Sequence, residues 1–157
     1  MNHRTIFIVI VIAALCGSLV WRVAASPLAP MQQDALAFAT VDVVIETNGT
    51  PLAAYQLEIA ATHASTRFVG IEGGDSAVFR DPPYYDPAAM QQERVIIADF
   101  SNAASDALPR GAVRIARLHV QYDPNQPLDF NSELIVAATR DGVTITDAAL
   151  RVTPIAP

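Results

Sequence analysis

From Leu36 onward, apolar residues recur with a period near two, the spacing of strands that bury one face. Val41, Val43 and Ile45 alternate with Asp42, Val44 and Glu46, which predicts a strand with its odd-numbered positions inward. Leu36 and Phe38 fall on the opposite parity, so a β-bulge is expected near Ala39 and Thr40. Asn48-Gly49 tolerates positive φ and reads as a hairpin turn into a second strand with Ala53, Tyr55, Leu57 and Ile59 inward. Phe68, Val69 and Ile71 make a third, short strand. Val95 to Phe100 is apolar on both parities, as expected of a central strand covered on both faces. Between Ala112 and Tyr122 the inward set changes from Val113 and Ile115 to Ala116, Leu118, Val120 and Tyr122, and a second bulge accounts for the change. Leu134 to Ala138 reads as a buried strand. Asp141-Gly142 is a hairpin signal leading to Val143 and Ile145, followed after a further phase change by Leu150 and Val152.

About eight or nine short strands at this spacing predict an all-β fold, a jelly-roll-like antiparallel β-sandwich over residues 36–154. The stretch that breaks the pattern is Ile71 to Phe100, which joins two strand-like runs through a polar insert. Proline lacks a donor N–H, so a segment holding Pro82, Pro83 and Pro87 cannot lie inside a sheet and must cross its edge or rim. It is expected to be a long ordered crossover, with a single helical turn over Pro87 to Gln92.

Residues 1–25 have the layout of an export signal: Arg4, an apolar run from Ile6 to Trp21, then small residues. Val23 and Ala25 fit cleavage before Ser26, and an uncleaved helical anchor over residues 5–21 is the competing reading. Lipidation at Cys16 is a third. All three place the domain outside the cytoplasm, either secreted or held at the membrane by that segment alone. Residues 26–35, with two prolines and two glutamines, read as a linker.

Composition narrows the function classes. Cys16 is the sole cysteine, so the domain holds no disulfide or cysteine metal site. There are 16 Asp and Glu against 10 basic residues, all arginine, and without residues 1–25 the balance is 8 against 16, or −8. Arginines scattered singly among acids do not make a track for a phosphate backbone, so no nucleic-acid partner is expected.

Several strands together carry a resemblance: VDVVIET from Val41, Pro51 to Ile59, Phe68 to Glu72, Arg94 to Phe100 and Gly111 to Val120. In this order, with a long insert before the fourth, they resemble the cohesin domain, a β-sandwich related in fold to certain cellulose-binding modules. The resemblance spans roughly Phe38 to Val152. It implies an exported, non-catalytic module that binds a protein partner such as a dockerin, with no cofactor. Where cohesins commonly carry Tyr-Asp-Pro after the second strand, this chain has Thr62-His63-Ala64-Ser65. Since dockerin recognition in that family uses a sheet face of variable residues, no partner-contacting position carries over.

Tyr84 and Tyr85 are the leading candidate ligand residues, because rigid amphipathic rings on a proline-stiffened loop suit stacking on a sugar or a partner surface. Asp81 and Asp86 flank them. The alternative function is therefore a carbohydrate-binding module for a polysaccharide, although Trp21, the only tryptophan, lies outside the domain. Asp75, Asp81, Asp86 and Glu72 match no cation-loop spacing, and acids beside prolines ordinarily cap turns, so no metal is expected. Glu72/Asp75 and Asp123/Asp129 are pairs of the kind a glycosidase uses, but such pairs arise readily in an acidic chain. His63 and His119 have no nucleophile at a recognisable spacing, and no catalytic residues are assigned. Arg114, Arg117, His119 and Gln121 form a polar sheet face.

Overall fold

The computed structural model describes residues 36–155. The export or anchor helix expected in residues 1–25 and the linker of 26–35 lie outside the described residues. Among the described residues, no helix is long and apolar enough to cross a membrane.

Eight strands make two four-stranded sheets: β1 (Ala37–Glu46), β2 (Ala54–Ala61), β3 (Arg67–Gly73), β4 (Tyr84–Tyr85), β5 (Arg94–Phe100), β6 (Ala112–Tyr122), β7 (Phe130–Ala138) and β8 (Ala149–Ile155). The first sheet has the order β3-β6-β1-β8 and the second β4-β5-β2-β7. Every strand pairing is antiparallel. The inward side chains of the two sheets form the core of a β-sandwich. Val41, Val43 and Ile45 of β1 and Leu118 and Val120 of β6 come from one sheet; Leu57 and Ile59 of β2 and Val95 and Ile97 of β5 come from the other. All nine are fully buried.

The Asn48-Gly49 turn forms, with φ of 50° and 88°, but it does not make the expected hairpin. β1 and β2 belong to different sheets, so the turn begins a crossover between layers. Thr47 has no exposed surface, and its hydroxyl accepts from the Gly111 amide at 2.9 Å. Leu52 is fully buried and donates its amide to the Pro109 carbonyl at 2.9 Å. A two-residue hairpin would have left Leu52 and Ala53 no interior to enter. The Asp141-Gly142 turn does close a short hairpin. Thr139 and Ile145 donate to Val143 and Ala137 at 2.9 and 2.8 Å, before the chain passes to β8 in the first sheet.

The bulge expected near Ala39 and Thr40 is absent. The pairing of β1 with β6 runs unbroken from Ala37–Tyr122 to Val43–Ala116, and Leu36 and Phe38 simply stay exposed on the outer side. The bulge of β6 is where the sequence placed it. Val43 pairs with Ala116 and Val44 with Arg114, which leaves Ile115 as the extra residue and buries Ile115 and Ala116 side by side. Further register shifts isolate Val69 in β3 and Ile135 in β7. The second of these corrects the reading of Leu134 to Ala138 as buried: β7 is an edge strand, and Ile135 and Val136 remain exposed. β5 is likewise not covered on both faces, since Ile96 and Ala98 are half-buried and Phe100 is exposed.

Between β3 and β5 the chain crosses from the first sheet to the second, and its prolines lie outside the sheet interiors, as expected. A 3₁₀ turn (Ala77–Phe79) drops Phe79 into the core, and the helical turn α1 (Pro87–Met90) is capped by Asp86, whose carboxylate accepts from the Ala88 amide at 2.9 Å. Phe79 meets Tyr55 edge-on, with ring centroids 5.3 Å apart at 73°. Tyr55 in turn donates its hydroxyl to the Ile115 carbonyl at 3.4 Å. Burial pushes the Tyr55 phenol well above its usual pKa, with the charge of Asp99 adding to the effect.

Candidate binding surface

Tyr84 and Tyr85 are not a free loop. They form β4, the edge strand of the second sheet, where Tyr84 pairs with Ala98 and Tyr85 with Ile97. Neither ring folds back over the sandwich: Tyr84 is 73% exposed and Tyr85 50%. Successive side chains on a strand point to opposite faces, so the two rings cannot share one flat platform. Ile97 is an inward residue, which puts Tyr85 on the inner parity at the open edge. Tyr84 lies on the outer face.

The outward row through Tyr84 crosses all four strands: Tyr84 beside Ala98, Ala98 beside Gln56, Gln56 beside Val136. Along β5, Ile96 and Phe100 flank Ala98 on the same side, and Phe100 is 59% exposed. Toward one end, the face carries a single ion pair, Arg94 donating to both carboxylate oxygens of Glu58 at 3.2 and 3.3 Å, with Glu133 next to Glu58. The outward face thus carries Tyr84, Ile96, Phe100 and Val136 around Ala98 and Gln56, and its ion pair lies toward one end.

The outer face of the first sheet has the opposite character. Asp42 accepts from Arg117 at 2.7 and 3.2 Å and stands 3.9 Å from Arg114. Arg114 also forks onto Asp75, and His119 contacts Glu72 at 2.8 Å. The hydrogen bonds and charge of Arg114 hold the Asp75 carboxyl below the usual range. The polar face of Arg114, Arg117, His119 and Gln121 thus has most of its charges paired within the chain. A partner docking there would have to displace those pairs.

The four acids around the tyrosines part company. Glu72 and Asp75 serve the arginine and histidine just described, Asp86 caps α1, and Asp81 is exposed on the crossover. Among the described residues, no three His, Cys, Asp or Glu side chains converge as a metal site would require. Asp123 accepts from the amide of Asn125 at 2.9 Å and shapes its own turn. Ser101 accepts from the Ala103 amide at 3.2 Å. Asp99 lies opposite Tyr55 on the inward side of the rim. Partial burial raises its pKa and the charge of Asp81 adds to that, against a lowering by the Phe100 amide that it accepts at 2.7 Å.

Sequence reasoning singled out Tyr84 but not Phe100 or Val136, its companions on the face. Their exposure depends on β5 having only a two-residue neighbour and on the bulge in β7. No protein-family model, no curated protein and no solved structure matches this chain.

Proposed function

We propose that this chain is an exported, non-catalytic binding module that docks a protein partner on the outer face of its second sheet. In this reading the sandwich is jelly-roll-like and of the cohesin kind, working at the cell surface or in the extracytoplasmic space. The observation that carries it is the row from Tyr84 through Ala98 and Gln56 to Val136, flanked by Phe100. Exposed aromatic and aliphatic side chains gathered on one flat face are the usual mark of an interaction site, and tyrosine is among the residues that carry most binding energy in interfaces. The test is retention by the immobilised chain of calcium-loaded dockerin proteins and of native secreted proteins, compared with Tyr84→Ala/Phe100→Ala. Retention that is specific and lost in the double variant supports the reading; unchanged retention, or none, removes it.

The second reading, a carbohydrate-binding module, is favoured by the exposure of both tyrosine rings. Their opposite parity limits stacking on one sugar face to Tyr84. Binding on a polysaccharide panel that Tyr84→Ala abolishes and Phe100→Ala leaves alone would move the assignment there.

A further inference from the structure

A strand at the edge of a sheet has backbone N–H and C=O groups along one side with no neighbouring strand to bond them. Among the described residues the two sheets end in four such strands, β3, β8, β4 and β7. Three of them are poor templates for further pairing. β3 and β7 carry register shifts at Val69 and Ile135, and β4 is two residues long. Past the end of β4, the Phe100 amide is taken by the Asp99 carboxylate at 2.7 Å. The fourth, β8, pairs with β1 over all 7 of its residues without a shift.

Parity decides which groups β8 leaves open. The Thr47 amide, directly after β1, donates to the Gly111 carbonyl at 3.0 Å, on the β6 side. The backbone groups of a strand turn to one neighbour and the other in alternation, so Asp42 and Val44 bond to β8, where they meet Thr153 and Arg151. The N–H and C=O of Leu150 and Val152 therefore face the open side. So does the ring nitrogen of Pro154, as expected of a proline in an edge strand. The side chains carry the same mark of an unfinished sheet. Val43 and Ile45 have no exposed surface, whereas Val152 and Leu150, opposite them on β8, are only half-buried.

We propose that this edge pairs with β8 of a second copy of the chain, antiparallel and centred on Val152. A two-fold axis there gives a self-complementary register. Val152 exchanges both of its backbone bonds with its counterpart, and each Leu150 amide donates to the Pro154 carbonyl of the second copy. On the inner side, Val152 meets Val152 and Leu150 meets Pro154, which extends the apolar cover of both cores. On the outer side, Arg151 meets Thr153, so no like charges stand opposite each other. An axis at Arg151 would oppose two arginines, and one at Pro154 would oppose two residues without a donor. The contact is a single strand pair, so the association belongs to the small, weak class of interfaces. It joins the first sheets of two copies and leaves the Tyr84 and Phe100 face of the second sheet free, so it does not rest on the docking proposal.

The test is NMR of the ¹⁵N-labelled full-length chain at increasing concentration, reading amide shifts and amide exchange. Saturable, concentration-dependent shifts are expected in residues 149–155, with exchange of the Leu150 and Val152 amides slowing as the chain is concentrated. Thr153→Arg sets an arginine against Arg151 of the second copy and beside Asp42 of its own chain. It should weaken the association about tenfold, because the repulsive pair occurs twice about the axis, and leave the thermal midpoint of the dilute chain unchanged. Adding Arg151→Glu to that variant should restore the association, a rescue that depends on the register centred on Val152. Shifts confined to residues outside β8, Leu150 and Val152 amides already protected in the dilute chain, or an association indifferent to both substitutions would each overturn the proposal.

Discussion

Replacing Phe79 by alanine tests whether the long crossover is anchored in the core or merely lies over it. The ring is 1% exposed and stands edge-on to Tyr55, which binds the backbone of β6. Truncating a buried phenylalanine ordinarily costs about 3–5 kcal/mol, the lost transfer energy plus the cavity left behind. A domain of about 120 residues has a total stability of roughly 6–18 kcal/mol, so the variant should fold. With a urea m-value of about 2 kcal/mol/M, its unfolding midpoint should fall by about 1.5–2.5 M with the slope unchanged. The damage should also spread along the crossover. The amide of Asp86, which donates to the Ile96 carbonyl at 3.1 Å beside β4, should lose hydrogen-exchange protection, whereas that of Thr47 at the opposite crossover should not. A midpoint shift below about 0.5 M would correspond to no more than about 1 kcal/mol, the size of a surface effect, and would refute the anchoring.

The remaining predictions concern the sheet face, the glycines and the acids. Tyr84→Ala and Phe100→Ala should each change unfolding free energy by no more than about 0.5 kcal/mol, as surface positions do, while reducing partner retention; a large stability loss would mean the rings are structural. A Cβ on Gly74 would overlap the backbone carbonyl of Arg114, which cannot step aside, so Gly74→Ala should cost about 1–3 kcal/mol or more in chemical unfolding. Gly70→Ala meets only the His119 side chain, at 3.3 Å, and should cost less. Asp99 and Asp75 should give opposite pH signatures in thermal melts. The folded pKa of Asp99 is raised, so its stabilising contribution is complete below the unfolded value near 3.8 and is lost as pH rises through the folded value. Asp99→Asn should therefore stabilise the chain at pH 7 and lose that advantage near pH 3. The folded pKa of Asp75 is lowered, so its contribution is present above 3.8 and is lost as pH falls through the folded value. Asp75→Asn should destabilise at pH 7, within the roughly 0–1 kcal/mol of exposed pairs, and be neutral in strong acid.

The sandwich was legible because alternation is a local signal. Val41 to Ile45 and Tyr55 to Ile59 carry their inward face in their own parity, and the β6 bulge showed as two adjacent residues, Ile115 and Ala116, that both had to be inward. Which strands share a sheet was not legible. Asn48-Gly49 has the chemistry of a hairpin turn and adopts its positive φ, yet the path after it is set by Thr47 and Leu52, whose partners Gly111 and Pro109 lie about 60 residues away. Exposure of apolar residues failed in the same way. Nothing near Phe100, Ile135 or Val136 in sequence tells that their sheet ends in a two-residue strand on one side and a bulged edge on the other. The tyrosine pair was found because prolines mark the crossover, but its strand pairing, which separates the two rings, depends on the distant Ala98 and Ile97.

The most direct test of the central claim is quantitative affinity capture. The immobilised full-length chain and its Tyr84→Ala/Phe100→Ala variant would be exposed, with calcium and after chelation, to the same native secreted proteins. The account predicts a partner enriched on the parent chain and lost from a variant of equal stability. Dependence of that capture on calcium would point to a dockerin-type partner. Equal recovery on both chains would contradict it, because the outer face of β4-β5-β2-β7 would then not be where the partner docks.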